Sequence, residues 1–172
     1  MSSSDGQRFP AKGKIRQARA NTRYFGYGKG VTFYSWTSDQ FSQYGSRPIP
    51  ATVRDATYVL DEILNNETEL PIVEYTTDTA GYTELVFALC DLLGLRFSPQ
   101  IRDLADQKLY RTAAINMDAY PQRKAHVSDL IQKTRILEDW DEMLRLAGSL
   151  KLGWVIAFLI VQKLQAFPAN IR

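Results

Sequence analysis

The chain has 172 residues, enough for one domain with a buried core. Hydrophobic residues make up 45% and charged residues 23%, which excludes a disordered, low-complexity composition. A net charge of +2 does not by itself name a polyanion partner. The polar start, Met1-Ser2-Ser3-Ser4-Asp5, shows no signal peptide, and the most apolar stretch, Trp154 to Val161, is far short of the about 20 residues that span a bilayer.

The first 30 residues are rich in Ser, Gly, Lys and Arg, lack apolar periodicity and read as loop. Val31-Thr32-Phe33-Tyr34-Ser35-Trp36 is β-branched and aromatic and predicts a strand. A second strand is expected within Tyr44 to Val53, where Pro48 and Pro50 suit an edge or a bulge. Arg54 to Asn65 predicts a helix, with Ala56, Val59, Leu60, Ile63 and Leu64 on one face. Ile72 to Thr77 predicts a strong strand that runs directly into Asp78. A helix over Thr83 to Leu93 follows, closed by Gly94, and Leu95 to Ser98 suggests a further strand. Strand, helix and strand with short connections imply a parallel pair and an α/β core. The last third reads as helical, with an apolar stripe from Val127 through Leu130, Ile131, Leu137 and Leu144 to Ala147, then a buried helix over Trp154 to Gln165.

Cys90 lies in an apolar run without a neighbouring histidine, so a buried structural thiol and a reducing cytoplasm are expected. His126 reads as a solvated helix-start residue. Trp36, Trp140 and Trp154 could stack bases, but their spacing favours core positions. Between Gly6 and Ser38 there is no acidic residue, while Arg8, Lys12, Lys14, Arg16, Arg19, Arg23 and Lys29 interleave with Phe9, Tyr24, Phe25 and Tyr27. Such a run fits contact with phosphates, and it equally fits a solvated loop. Arg54, Arg96 and Arg102 carry the same two readings. Asp55 and Asp61 are six apart, off a common helix face, and read as structural or solvated.

Asp5 and Asp78 are both flanked by small hydroxyl residues and glycine, which let backbone and solvent approach a carboxylate. Asp78 also sits at a strand end before a helix, where open α/β sheets place ligand sites. Hard divalent ions take such oxygen ligands. Their spacing cannot show that the two meet, and a solvated Asp5 with an Asp78 helix cap remains open on pattern alone.

The segments Ser2-Ser3-Ser4-Asp5-Gly6-Gln7-Arg8-Phe9 and Tyr75-Thr76-Thr77-Asp78-Thr79-Ala80-Gly81-Tyr82 resemble the first and second catalytic motifs of the Tn-three family of replicative transposases. Ser38-Asp39-Gln40, Ala51 to Asp61, Leu92 to Phe97, Ile101 to Leu104, Trp140 to Lys151 and Lys163-Leu164 continue the resemblance in the same order. The resemblance implies a ribonuclease-H-like mixed sheet with flanking helices, partial over residues 1–110, with a helical insertion region over 111–172. It implies DNA transposition by a DDE enzyme that cuts transposon ends and joins the 3′ ends to target DNA. Asp5 and Asp78 would be two of three ligands for Mg²⁺, or Mn²⁺, and the basic residues from Arg8 to Lys29 would touch DNA. The expected third ligand, a glutamate in a Glu-Leu-Gly-Arg-type helix, lies beyond this chain, and Glu84 does not take its place. The first strand of such a sheet is expected ahead of Asp5 and largely absent here. The full-length protein is expected to be a cytoplasmic bacterial homodimer without membrane contact. The alternative is an inactive DNA-binding or assembly relic lacking the glutamate.

Overall fold

A computed structural model describes residues 1–69, 71–113 and 127–166. His126 and Pro168 lie outside these residues. The first element is a ten-residue strand, β1, Ser2–Ala11. After a two-residue strand, β2 (Arg19–Ala20), and a single turn, α1 (Thr22–Phe25), come β3 (Lys29–Ser38) and β4 (Gln43–Pro50). β5 spans Glu74–Thr77 and β6 spans Arg96–Phe97, joined through helix α3, Glu84–Leu92. The sheet order is β2-β3-β1-β5-β6, with β4 also on β3. β1 is antiparallel to β3 and parallel to β5, and β5 is parallel to β6, so the sheet is mixed.

The loop expected over the first 30 residues is corrected by β1. No apolar alternation marks this strand because hydroxyls hold its core face. The Ser2 hydroxyl donates to the Thr37 carbonyl at 3.1 Å and meets the Tyr44 hydroxyl at 2.6 Å, while the Ser4 hydroxyl bonds those of Tyr34 and Tyr75. Buried serines are tolerated when satisfied in this way. The same strand corrects the expectation that Asp5 would lack one: Asp5 sits inside β1, opposite Ser35 of β3.

β3 is as expected, and β4 borders the sheet, with Pro48 opposite Phe33 and Pro50 opposite Val31. An edge tolerates prolines because no neighbour needs the missing N–H. The single helix expected over Arg54 to Asn65 is instead a 3₁₀ turn, Asp55–Thr57, and a short helix α2, Asp61–Leu64. Every residue from Asp55 to Asp61 is buried, which a one-faced helix cannot achieve. Both aspartates turn inward to ion pairs, Asp55 with Arg8 and Asp61 with Arg47. α3 begins where Thr83 accepts the Val86 N–H at 3.1 Å, and Gly94 follows it at φ +75°.

Val127 to Leu130 form a strand, β8 (Val127–Leu130), not the start of a helical stripe. It runs parallel to β7, Leu109–Arg111, a partner that local periodicity cannot reveal. Helices α4 (Lys133–Glu138), α5 (Trp140–Lys151) and α6 (Ala157–Ala166) complete the described residues. The expected helix from Trp154 starts later. Gly153, at φ +69°, turns the chain, and the Trp154 N–H donates back to Ser149. Trp154 is therefore 75% exposed and Trp140 is 42% exposed, against the expected core positions, and only Trp36 is buried.

The core lies on one face of the sheet. Tyr34, Trp36 and Tyr75 pack there with Val59, Leu60, Val86 and Leu89, and with Leu150 of α5 and Val161 of α6. Asp61 ties α6 to this core: its carboxylate accepts from Arg47 at 2.5 Å and from the Phe158 N–H at 2.8 Å. The Phe158 ring stacks on Tyr58 at 4.5 Å. Cys90 is buried, and burial pushes its thiol up to about 12, as a structural cysteine requires. Among the described residues no helix is long and apolar enough to cross a membrane.

Candidate active site

Side chains alternate across a strand, so Ser2 and Ser4 of β1 enter the core while Ser3, Asp5 and Gln7 face the other way. In β5, Tyr75 and Thr77 are buried. The parallel register pairs Ser2 with Tyr75, Ser3 with Thr76 and Ser4 with Thr77. Asp5 and Asp78 are each the next residue along. Neighbouring strands lie about 4.8 Å apart, so the two carboxylates leave adjacent strands at the same level.

Both line an open cleft of about 500 Å³. Its remaining walls are polar: Ser3 and Gln7 of β1, Ser35 and Thr37 of β3, Gln43 of β4, Thr76 of β5, and Gln100. These hydroxyl and amide residues at alternate positions are the site features that sequence reasoning missed. The repeat at Ser3, Asp5 and Gln7, matched by Ser35 and Thr37, is the signal that carries them.

Local backbone holds each carboxylate. Asp5 Oδ1 accepts the Gly6 N–H at 2.7 Å. Asp78 Oδ1 accepts the N–H groups of Ala80 at 3.0 Å and Gly81 at 3.2 Å, which closes the turn after β5. Among the described residues the second oxygen of neither aspartate has a protein partner. Two hard oxygen donors on adjacent strands fit a divalent cation such as Mg²⁺. Among the described residues no three His, Cys, Asp or Glu side chains converge as a metal-holding group.

Asp55 lies close behind this pair but takes another role. It is 2% exposed and bonds Arg8 at 3.2 Å. Burial raises its pKa, Arg8 opposes the rise, and the charges of Asp78 and Asp5 add to it. Its carboxylate presses on the strand, since a Cβ at Gly6 would lie 2.8 Å from Asp55 Oδ2. Gly6 thus leaves room for a buried ion pair beside Asp5.

The basic residues separate. Arg8 is spent partly on Asp55 and stacks on Tyr24 at 4.4 Å. Arg19 donates to the carbonyls of Arg16 and Ala18. Lys12, Lys14, Arg16, Arg23 and Lys29 are exposed. Arg96 lies 4.0 Å from Glu74 at the surface.

In this mixed α/β domain Asp5, inside β1, and Asp78, just past the end of β5, present two carboxylates to one cleft. The model of the Tn3 transposase DDE domain matches residues 1–171, and the chain belongs to that family. The transposase for transposon Tn501 of Pseudomonas aeruginosa is 42% identical over 167 residues, covering 97% of this chain and 17% of that protein. The transposase for transposon Tn1546 of Enterococcus faecium is 45% identical over 166 residues, covering 96% and 16%. The transposase for transposon gamma-delta of Escherichia coli (strain K12) is 37% identical over 165 residues, covering 95% and 16%. The chain thus spans only 16–18% of the length of the curated relatives it matches. No solved structure matches it. These three relatives are all named as transposases.

Proposed function

We propose that Asp5 and Asp78 are the first two metal-binding carboxylates of a transposase catalytic domain built on a ribonuclease-H-like sheet. The observation that carries this reading is the parallel register of β1 and β5, which brings Asp5 and Asp78 to one level of one cleft. The order β4-β3-β1-β5-β6, antiparallel then parallel, supports the fold assignment. Residues 111–172 would form a helical insertion region of the same domain.

In this reading Asp5 and Asp78 hold Mg²⁺ or Mn²⁺ together with a glutamate from outside this chain. The chemistry the ion supplies is activation of the attacking oxygen and neutralisation of charge on the leaving oxygen. The chain's own part is positioning. The Gly6 N–H orients Asp5, and the Ala80 and Gly81 N–H groups orient Asp78, so little reorganisation is needed when a phosphodiester enters. Water would attack first at the transposon end, and the freed 3′ hydroxyl would then attack target DNA. Lys12, Lys14, Arg16, Arg19, Arg23 and Lys29 would neutralise backbone phosphate, with Arg8 contributing beyond its bond to Asp55. The full-length protein would act as a cytoplasmic homodimer.

The alternative reading is a DNA-binding or assembly relic without chemistry. A single experiment separates the two. Nicking of transposon-end DNA is measured with Mg²⁺ or Mn²⁺ for the domain in its full-length context, for Asp5→Ala and Asp78→Ala variants, and for the isolated chain. We expect nicking by the full-length protein alone. Undiminished nicking in both variants would refute the carboxylate assignment.

A further inference from the structure

A second crevice, of about 480 Å³, has Thr79 and Ala80, the two residues after Asp78, in its wall. Arg8 and Asp55 place it on the face of the sheet opposite Asp5 and Gln7, so it lies around the end of β5 from the carboxylate cleft. Four arginines line it: Arg8, Arg23, Arg54 and Arg102. They come from β1, from α1, from the segment after β4 and from the segment after β6. Asp55 is the one acidic residue in the lining, and Arg8 already holds it. Among the described residues Arg23, Arg54 and Arg102 have no carboxylate partner.

Three exposed guanidinium groups without a carboxylate partner give the crevice a positive potential that favours an anion. The scaffold beneath them is set in advance. The Asn21 side-chain amide donates to the Ala51 carbonyl at 2.7 Å, pinning α1 to the end of β4. Arg8 and Arg23 lie against the Tyr24 ring at 4.4 and 5.4 Å. Guanidinium groups in a fork geometry match phosphate oxygens.

We propose that this crevice, gripped by Arg23, Arg54 and Arg102, seats a backbone phosphate of the DNA strand next to the phosphodiester held at Asp5 and Asp78. The inference rests on the carboxylate cleft as the reacting centre and adds the route the strand takes away from it. It joins one residue of the basic amino-terminal run, Arg23, to Arg54 and Arg102, which lie far from it in sequence.

The test uses the 172-residue chain and a short fluorescein-labelled duplex, with its single strand as a separate arm. Anisotropy is read across roughly 50–200 mM KCl. Arg54 and Arg102 are both exposed, so R54A/R102A leaves the core untouched. We expect weaker binding and a salt slope shallower by about 1–2, since each neutralised phosphate contributes about 0.9. R145A/K151A on α5 removes the same charge elsewhere and should leave the slope unchanged. An unchanged slope in R54A/R102A, or an equal loss in both double variants, overturns the proposal. If nicking by the full-length protein still depends on Asp5 and Asp78 in that event, only the crevice is lost. If nicking ignores both aspartates while R54A/R102A flattens the slope, the crevice stands as a DNA site and the catalytic reading falls.

Discussion

Gly81 governs where the Asp78 carboxylate sits. A Cβ placed there would lie 2.6 Å from the Thr77 Cβ, 2.7 Å from its Oγ1 and 2.9 Å from its Cγ2. Thr77 cannot swing aside, because it is 3% exposed and lies on the rung that pairs with Ser4. Restoring ordinary contact in Gly81→Ala therefore moves the turn by roughly 0.8 Å, an overpacking that costs about 1–3 kcal/mol. For a domain of this size the melting temperature should fall by roughly 2–12 °C. The same turn donates the 3.2 Å bond to Asp78 Oδ1, so the carboxylate moves with it. A misplacement near 1 Å can cost about 10²-fold in rate, and nicking by the full-length protein should drop by roughly 10–100-fold. Gly148→Ala is the control. It lies inside α5 with nothing within 4 Å of the new Cβ, and should stabilise by up to about 1 kcal/mol. Thermal melts and single-turnover nicking read both variants. A Gly81→Ala protein that melts and nicks like the parent would show that the turn does not position Asp78.

Two further predictions concern the buried aspartates. Asp61→Ala leaves the Phe158 N–H and Arg47 without their acceptor and should destabilise by about 2–3 kcal/mol in urea, with Asp61→Asn costing about half as much. Amide exchange in α6 should speed up in the alanine variant, and unchanged exchange would mean that Asp61 does not anchor that helix. Asp55 has a raised pKa in the folded chain, chiefly from burial. Its contribution is fully present below the unfolded value of about 3.9 and is lost as pH rises through the folded value. The parent should therefore lose stability relative to Asp55→Asn as pH rises from about 4 towards neutral. The opposite slope would show that the Arg8 pair outweighs burial.

Much of this molecule follows from local chemistry. β3, β5, α3 and the parallel step to β6 are legible because burial on one face imposes alternation or a 3.6-residue stripe, and Thr83 and Gly94 mark the helix ends. Cys90 is legible as core from its apolar neighbours. β1 is not, because its inward serines are satisfied by tyrosines 30 and 71 residues away, a compensation no local window contains. The segment from Asp55 to Asp61 misleads for the same reason: its charges are neutralised by Arg8 and Arg47, so it can be buried on all sides.

The sequence by itself singled out Asp5 and Asp78, by motif resemblance and by the strand that ends at Asp78. Their meeting was beyond it. Pairing Ser4 with Thr77 is a long-range choice, made by backbone hydrogen bonds and by core packing behind the strands, and that register alone brings the two carboxylates to one level. The arginine crevice is likewise a tertiary product, since Arg23, Arg54 and Arg102 share no period, face or neighbour until the sheet folds.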